Sequence, residues 1–150
     1  MSIFLSKNIS KTKKIGEFLA KEFLKIGPQK EKAFILGLIG DLGGGKTTFL
    51  QGFARGLGIK ERVLSPTFII MRKFNIQDAK FKNFYHFDCY RIQKPKEILE
   101  LGWRDLINRP ENIIAIEWAD RVFKILPKDA LILKFDFIND KTREISLKIK

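Results

Sequence analysis

Gly40-Asp41-Leu42-Gly43-Gly44-Gly45-Lys46-Thr47 decides the fold of this 150-residue chain, because it fulfils the pattern G-x-x-x-x-G-K-[ST] between two apolar segments. At ordinary residue frequencies that pattern arises by chance in about 1 in 200 chains of this length. Its setting narrows the reading further. Ala33 to Ile39, just upstream, is continuously apolar, as a strand buried on both faces of a parallel sheet has to be. Downstream, Lys46 to Leu57 puts Phe49, Leu50, Phe53 and Leu57 on one helical side, with Gly58 past the end. A strand, a glycine-rich turn and a helix start in that order surround a phosphate with backbone N–H groups.

Each residue type has a physical task in such a loop. Glycines permit positive φ and a close approach of main chain to phosphate oxygens. Lys46 supplies a compact positive charge to the β- and γ-phosphates, Thr47 offers a hydroxyl to Mg²⁺, and Thr48 stands beside them as a helper. Guanine readers of the GTPase type carry a late Asn-Lys-x-Asp, which is absent here, so ATP is the expected nucleotide.

Metal-assisted phosphoryl chemistry also asks for a carboxylate at the end of a neighbouring strand. Asp88 follows Phe84-Tyr85-His86-Phe87, and Glu117 follows Ile113-Ile114-Ala115-Ile116. With Lys46 they form the expected catalytic set, and with Thr47 the expected Mg²⁺ contacts; the competing role for each acid is an ordinary surface position beyond its strand. His86, the single histidine, reads as a hydrogen-bonded packing residue on the strand face it shares with Asp88 and Tyr90. Cys89 reads as a small buried hydrophobe. For Trp118 two roles stay open, core packing or stacking against a base or partner. Ser65-Pro66-Thr67 lies where nucleotide-sensing switch segments sit, and equally where a proline turn would.

The rest of the chain reads as one domain over residues 1–150, without repeats or linkers. A short strand at Ile3 to Leu5 precedes a helix capped by Ser10, with Ile15, Phe18, Leu19, Phe23 and Ile26 inward and Gly27-Pro28 at its end. Thr67 to Phe74 and Phe81 to Tyr90 read as a hairpin, Lys96 to Leu101 and Trp103 to Asn108 as short helices, and Asn112 to Trp118 as a buried strand. Ala130 to Phe137 and Arg143 to Ile149 form a terminal hairpin. Together they predict an α/β fold: a three-layer sandwich of the P-loop nucleotide-binding type, its sheet mixed and mostly parallel with antiparallel hairpins.

Composition removes several function classes. Hydrophobic residues make up 45% and charged ones 31%, so disorder and collagen-like structure do not fit. The apolar runs fall short of a membrane span, and lysines at 7, 11, 13 and 14 interrupt any export signal. One cysteine forms no intrachain disulfide, and a cytoplasmic location is the expectation. The net charge of +12 suits phosphate-bearing partners, although a general drift toward lysine on the surface accounts for it equally.

Taken together, GDLGGGKTT, SPTF, YHFDCYR, ELGWRDLI and IEWADR resemble, in order and spacing, the bacterial TsaE (YjeE) family. The resemblance runs from Thr12-x-x-x-Gly16-Glu17 to Lys141-Thr142-Arg143-Glu144. It implies an Mg²⁺-dependent ATPase, slow alone, that acts with TsaB and TsaD partners in threonylcarbamoylation of adenosine 37 in tRNA, reaching tRNA only through that complex. Neither a membrane nor DNA is an expected partner. It further implies nucleotide contacts for Thr12 and Arg143 and a switch over Ser65 to Phe68. Gly44, Cys89 and Ala119 depart from the family's usual Ala, Leu and Pro without removing a chemical group. Two alternatives remain: a small-molecule or nucleoside kinase, whose arginine-rich lid is missing after Glu117, and a nucleic-acid-binding module without turnover, for which no RNA-binding signature is present. Candidates for a transition-state arginine are Arg91, Arg104 and Arg121, unless a partner provides one.

Overall fold

A computed structural model of the chain describes residues 2–29, 31–41, 43, 45–64 and 69–150. Among the described residues the elements follow one another as β1 (Ser2–Ser6), α1 (Ile9–Ile26), β2 (Phe34–Gly40), α2 (Lys46–Gly56), β3 (Met71–Asn75), β4 (Asn83–Asp88), α3 (Lys96–Leu99), α4 (Trp103–Ile107) and β5 (Asn112–Glu117). A 3₁₀ helix (Ala119–Ile125) then leads into β6 (Leu131–Phe137) and β7 (Arg143–Ile149).

In the sheet the strands lie in the order β1-β7-β6-β2-β5-β4-β3. The four central strands, β6, β2, β5 and β4, are mutually parallel. Antiparallel pairs extend this core at both sides, β7 and then β1 beyond β6, and β3 beyond β4. From β2 the chain crosses through α2 to β3 and β4 on one side and later to β6 on the other. The crevice beyond the C-terminal end of β2 is therefore a switch point, where open α/β sheets bind ligands.

Helices cover both faces, which gives the expected three layers. On one side α1 and α2 bury Phe23, Phe49 and Phe53 against Phe34, Phe84 and Phe135 of the sheet. On the other, Ile98, Trp103 and Val122 from the three short helices close over Phe87, Ile114 and Ile116. Phe87 and Trp103 meet edge to face at 5.6 Å. Among the described residues no helix is long and apolar enough to cross a membrane.

The first helix departs from its expected description in two ways. Its N-cap is Asn8, not Ser10: extended backbone at Asn8 lets Oδ1 accept from the Lys11 N–H at 2.8 Å. Phe18 and Ile26, expected inside, are 54% and 70% exposed. The inner face is instead completed by Thr12, Gly16 and Ala20, because α2 lies too close for large side chains. A Cβ at Gly16 would strike the Phe49 carbonyl, one at Gly52 the Lys13 carbonyl, and one at Gly56 would sit 2.5 Å from the Glu17 carbonyl.

That contact yields a reversed sign. A helical Gly→Ala change ordinarily gains up to ~1 kcal/mol from backbone entropy. Gly52→Ala is expected instead to lose about 1–3 kcal/mol, since the new methyl meets backbone and must push the helices apart. Thermal unfolding checks this, with a midpoint lower by roughly 3–10 °C expected for a domain of this size; an unchanged or higher midpoint contradicts it.

Candidate nucleotide-phosphate site

The glycine-rich loop joins β2 to α2 at the switch point. Gly43 and Gly45 adopt φ of 76° and 98°, conformations in which a Cβ would be strained. Gly45 is also the N-cap of α2 and brings no side chain to it, so the first-turn N–H groups of the helix face the cleft without a side-chain acceptor. Leu42 and Gly44, named with this loop, and the Ser65 to Phe68 segment lie outside the described residues.

Lys46 folds back over the loop that carries it. Its ammonium donates to the carbonyls of Gly40 and Asp41 at 2.5 and 2.8 Å and lies 4.3 Å above the centre of the Trp118 ring. Burial pushes its pKa below the ordinary lysine value, while Glu117, Asp41, Asp120 and Asp88 pull in the opposite direction.

Register brings the two acids side by side. Asp88 and Glu117 are partners at the C-terminal ends of β4 and β5, two strands and one strand away from the strand that leads into the loop. Glu117 is 2% exposed; its Oε1 accepts the Thr47 hydroxyl at 2.8 Å, and its Oε2 lies 2.7 Å from His86 Nε2. Asp88 is half-buried, and its Oδ1 accepts the Tyr90 N–H at 3.0 Å. Both acids, with Lys46, Thr47 and Thr48, line one open cleft of about 1150 Å³. That is slightly above the ~300–1,000 Å³ usual for small-ligand sites.

The same cleft gathers the more distant candidates. Thr12 is buried, with its hydroxyl 2.6 Å from Ser6 Oγ, and a Cβ at Gly45 would come 3.7 Å from its methyl group. Arg143 reaches across from β7 to the Gly43 carbonyl at 3.4 Å while its guanidinium rests 4.0 Å from the Phe137 ring centre. Arg91 lines the cleft as well. Arg121 stands 5.6 Å from the rings of both Tyr90 and Trp118. Arg104 is different: it projects to solvent from α4, outside the cleft lining, because α4 packs on the sheet face opposite α1 and α2.

Oxygen donors dominate this group, and Thr47, Asp88 and Glu117 suit a hard cation that keeps part of its shell on phosphate and water. Among the described residues no three His, Cys, Asp or Glu side chains converge as a metal cage, so phosphate oxygens would complete the shell. Cys89 takes no part: it is fully buried, and burial pushes its thiol up to about 12. Trp118 is half-buried at the cleft wall, packed on the edge of the core with a left-handed backbone, φ 59°. Residue pattern alone missed the bond of His86 to Glu117, and also the cleft contributions of Lys7, Ile9 and Ile69.

The family model described as threonylcarbamoyl adenosine biosynthesis protein TsaE matches residues 6–145. A tRNA threonylcarbamoyladenosine biosynthesis protein TsaE from Haemophilus influenzae is 37% identical over 134 residues, covering 89% of this chain and 80% of the relative. Its namesake from Bacillus subtilis is 38% identical over 139 residues, with 93% and 80% covered. The crystal structure of Bacillus subtilis YdiB superposes with a TM-score of 0.75 at 29% identity, covering 99% of this chain and 84% of that one.

The Lys46–Trp118 contact makes the site self-reporting. A phosphate that draws the ammonium away changes the field on the Trp118 ring, whereas Trp103 is 1% exposed in the opposite core. Titration of Trp103→Phe protein with ADP is expected to change tryptophan emission, and Trp118→Phe protein is expected to stay silent. A response carried by Trp103 instead contradicts the assignment.

Proposed function

The chain belongs to the TsaE family, and on that premise we propose that it binds and hydrolyses ATP with Mg²⁺ in support of tRNA N6-threonylcarbamoyladenosine formation. TsaB- and TsaD-like proteins are its proposed partners; they perform the transfer, and tRNA is met through them. The observation that carries the reading is the meeting of Lys46, the α2 N-terminus and the Thr47–Glu117 bond at the ends of β2 and β5.

Each group has a share in the proposed reaction. The α2 N–H groups and Lys46 bind the β- and γ-phosphates and stabilise charge that grows on the bridging and terminal oxygens as the γ-phosphoryl passes to water. Thr47, Glu117 and Asp88 would hold Mg²⁺, which when bound neutralises phosphate charge. Thr47 can do so without breaking its bond to Glu117, because a hydroxyl that donates its proton keeps lone pairs for a cation. Thr12 and Arg143 flank the loop on the nucleotide side.

Removing the Lys46 charge is expected to lower turnover by about 10² or more, since transition-state charge stabilisation is usually a large term. Phosphate release by Lys46→Ala protein with partners present checks it, alongside a melting curve; wild-type release from folded protein contradicts the role. The acceptor decides between reaction classes. Phosphate release from ATP without any added acceptor is expected, and turnover that begins only with a small-molecule hydroxyl acceptor would make the chain a kinase.

Partner dependence is tested separately. Calorimetric titration into a TsaB–TsaD-like pair is expected to be about tenfold tighter with an ATP analogue than with ADP, a coupling of about 1.4 kcal/mol. Equal affinities together with unstimulated hydrolysis would remove the partner role.

A further inference from the structure

His86 ends in a position that packing alone does not account for. It sits on β4 beside β5, fully buried, two residues before Asp88 and in register with Ala115. Its Nε2 lies 2.7 Å from Glu117 Oε2, and its Nδ1 is buried without a partner among the described residues. A carboxylate oxygen takes a proton donor, so Nε2 carries the ring hydrogen. Among the described residues nothing would accept from a second hydrogen on Nδ1, so the ring is expected to carry its hydrogen on Nε2 alone. A phenylalanine would fill the space without a bare nitrogen. Among the described residues the polar ring has one hydrogen-bond contact, and that contact is Glu117.

Glu117 is held at both oxygens. Thr47 donates to Oε1 from the first turn of α2, and His86 donates to Oε2 from the neighbouring strand. With only the Thr47 bond, the carboxylate could turn about its last torsion, which is broad for a glutamate. With both, its plane is fixed relative to the loop.

We propose that His86 is a positioning residue: its Nε2–H clamps Glu117 Oε2 and so aims Oε1 at Thr47 and the phosphate site. Its effect on turnover rests on the ATPase reading given above, whereas the clamp itself is a property of the protein without nucleotide. Loss of such a supporting bond behind a carboxylate that serves a metal typically costs about 10- to 100-fold.

The only histidine in the chain makes the clamp directly visible. In ¹⁵N-histidine-labelled protein a single ring spectrum is expected, with a protonated Nε2, a bare Nδ1, and a marked shift of the Nε2 signal in Glu117→Gln. A bare Nε2 with the proton on Nδ1, a ring exchanging between tautomers, or a signal indifferent to Glu117→Gln overturns the proposal. Kinetics supply the second arm. The amide nitrogen of His86→Gln lies as many bonds from Cα as Nε2 does, that of His86→Asn is one bond short, and His86→Phe has none.

His86→Asn and His86→Phe are expected to lose about tenfold or more in kcat with the KM for ATP within about threefold, and His86→Gln to recover most of the loss. Equal loss in the Gln and Asn variants, or full kcat in His86→Phe, overturns the positioning role. Should the variants unfold, the spectrum of the labelled wild-type protein still decides the clamp. Should the wild-type protein release no phosphate at all, the ATPase reading fails while the clamp stands or falls on the spectrum.

Discussion

A carboxylate closed off from water at the end of a central strand has to be met by donors, and much of this site follows from how Glu117 is met. β5 lies between β2 and β4, so its last residue is within reach of the helix that follows β2 and of the strand beside it. Thr47 answers from α2 and His86 from β4. Three elements that enter the fold at different points of the chain are thereby tied at one side chain. The charge of Glu117 also opposes the desolvation that lowers Lys46, since an anion in a poorly screened place favours the ammonium form. Acid and base are thus each less costly to bury because the other is present.

A second constraint sets where that tie can be made. α2 begins at Lys46, and its axis is fixed by contact with α1 through Gly16, Gly52 and Gly56, where backbone meets backbone. Thr12 comes from the same helix and brings its methyl group next to Gly45, the residue that caps α2. The packing of two helices and the geometry of the loop are therefore one problem. A shift of α2 by a few tenths of an ångström would move Thr47 away from Glu117 and the first-turn N–H groups away from the phosphate position.

Much of this was legible in the sequence where the signal is local. The run before Gly40 reads as a doubly buried strand because every side chain in it is apolar, and α2 reads correctly because Phe49, Leu50, Phe53 and Leu57 repeat at the helical period. The acids at 88 and 117 stand out because charge ends an apolar run. Less legible were features decided by a neighbour. Phe18 and Ile26 fit the period of α1, yet the contact with α2 is made by small residues, so large side chains at the margin of the stripe stay outside. Asn8 outcompeted Ser10 as the cap because it is the residue with extended backbone one position before the helix. The 3₁₀ turn over Ala119–Ile125 has no repeating apolar pattern, and Val122 within it is not helical. The bond of His86 to Glu117 joins residues on different strands, and no spacing along one strand encodes it. Arg104 could be judged only once α4 was placed on its face of the sheet.

The contacts of Lys46 bear on what ligand binding means here. Its ammonium already has two carbonyl acceptors and an aromatic face. Binding a phosphate there would therefore be an exchange of partners, its net effect the difference between a charge-assisted bond to an anion and neutral bonds to carbonyls. Such an exchange would favour ligands with high negative charge, because a singly charged group would gain little over contacts already made. It also involves Trp118, whose left-handed backbone is a conformation that a non-glycine residue adopts only at some cost. That conformation turns the ring under Lys46 and beside Tyr90, 5.0 Å away, instead of continuing β5. The end of β5 thus supplies two successive residues to the cleft, a buried acid tied to α2 and β4 and an aromatic ring that lies against the lysine.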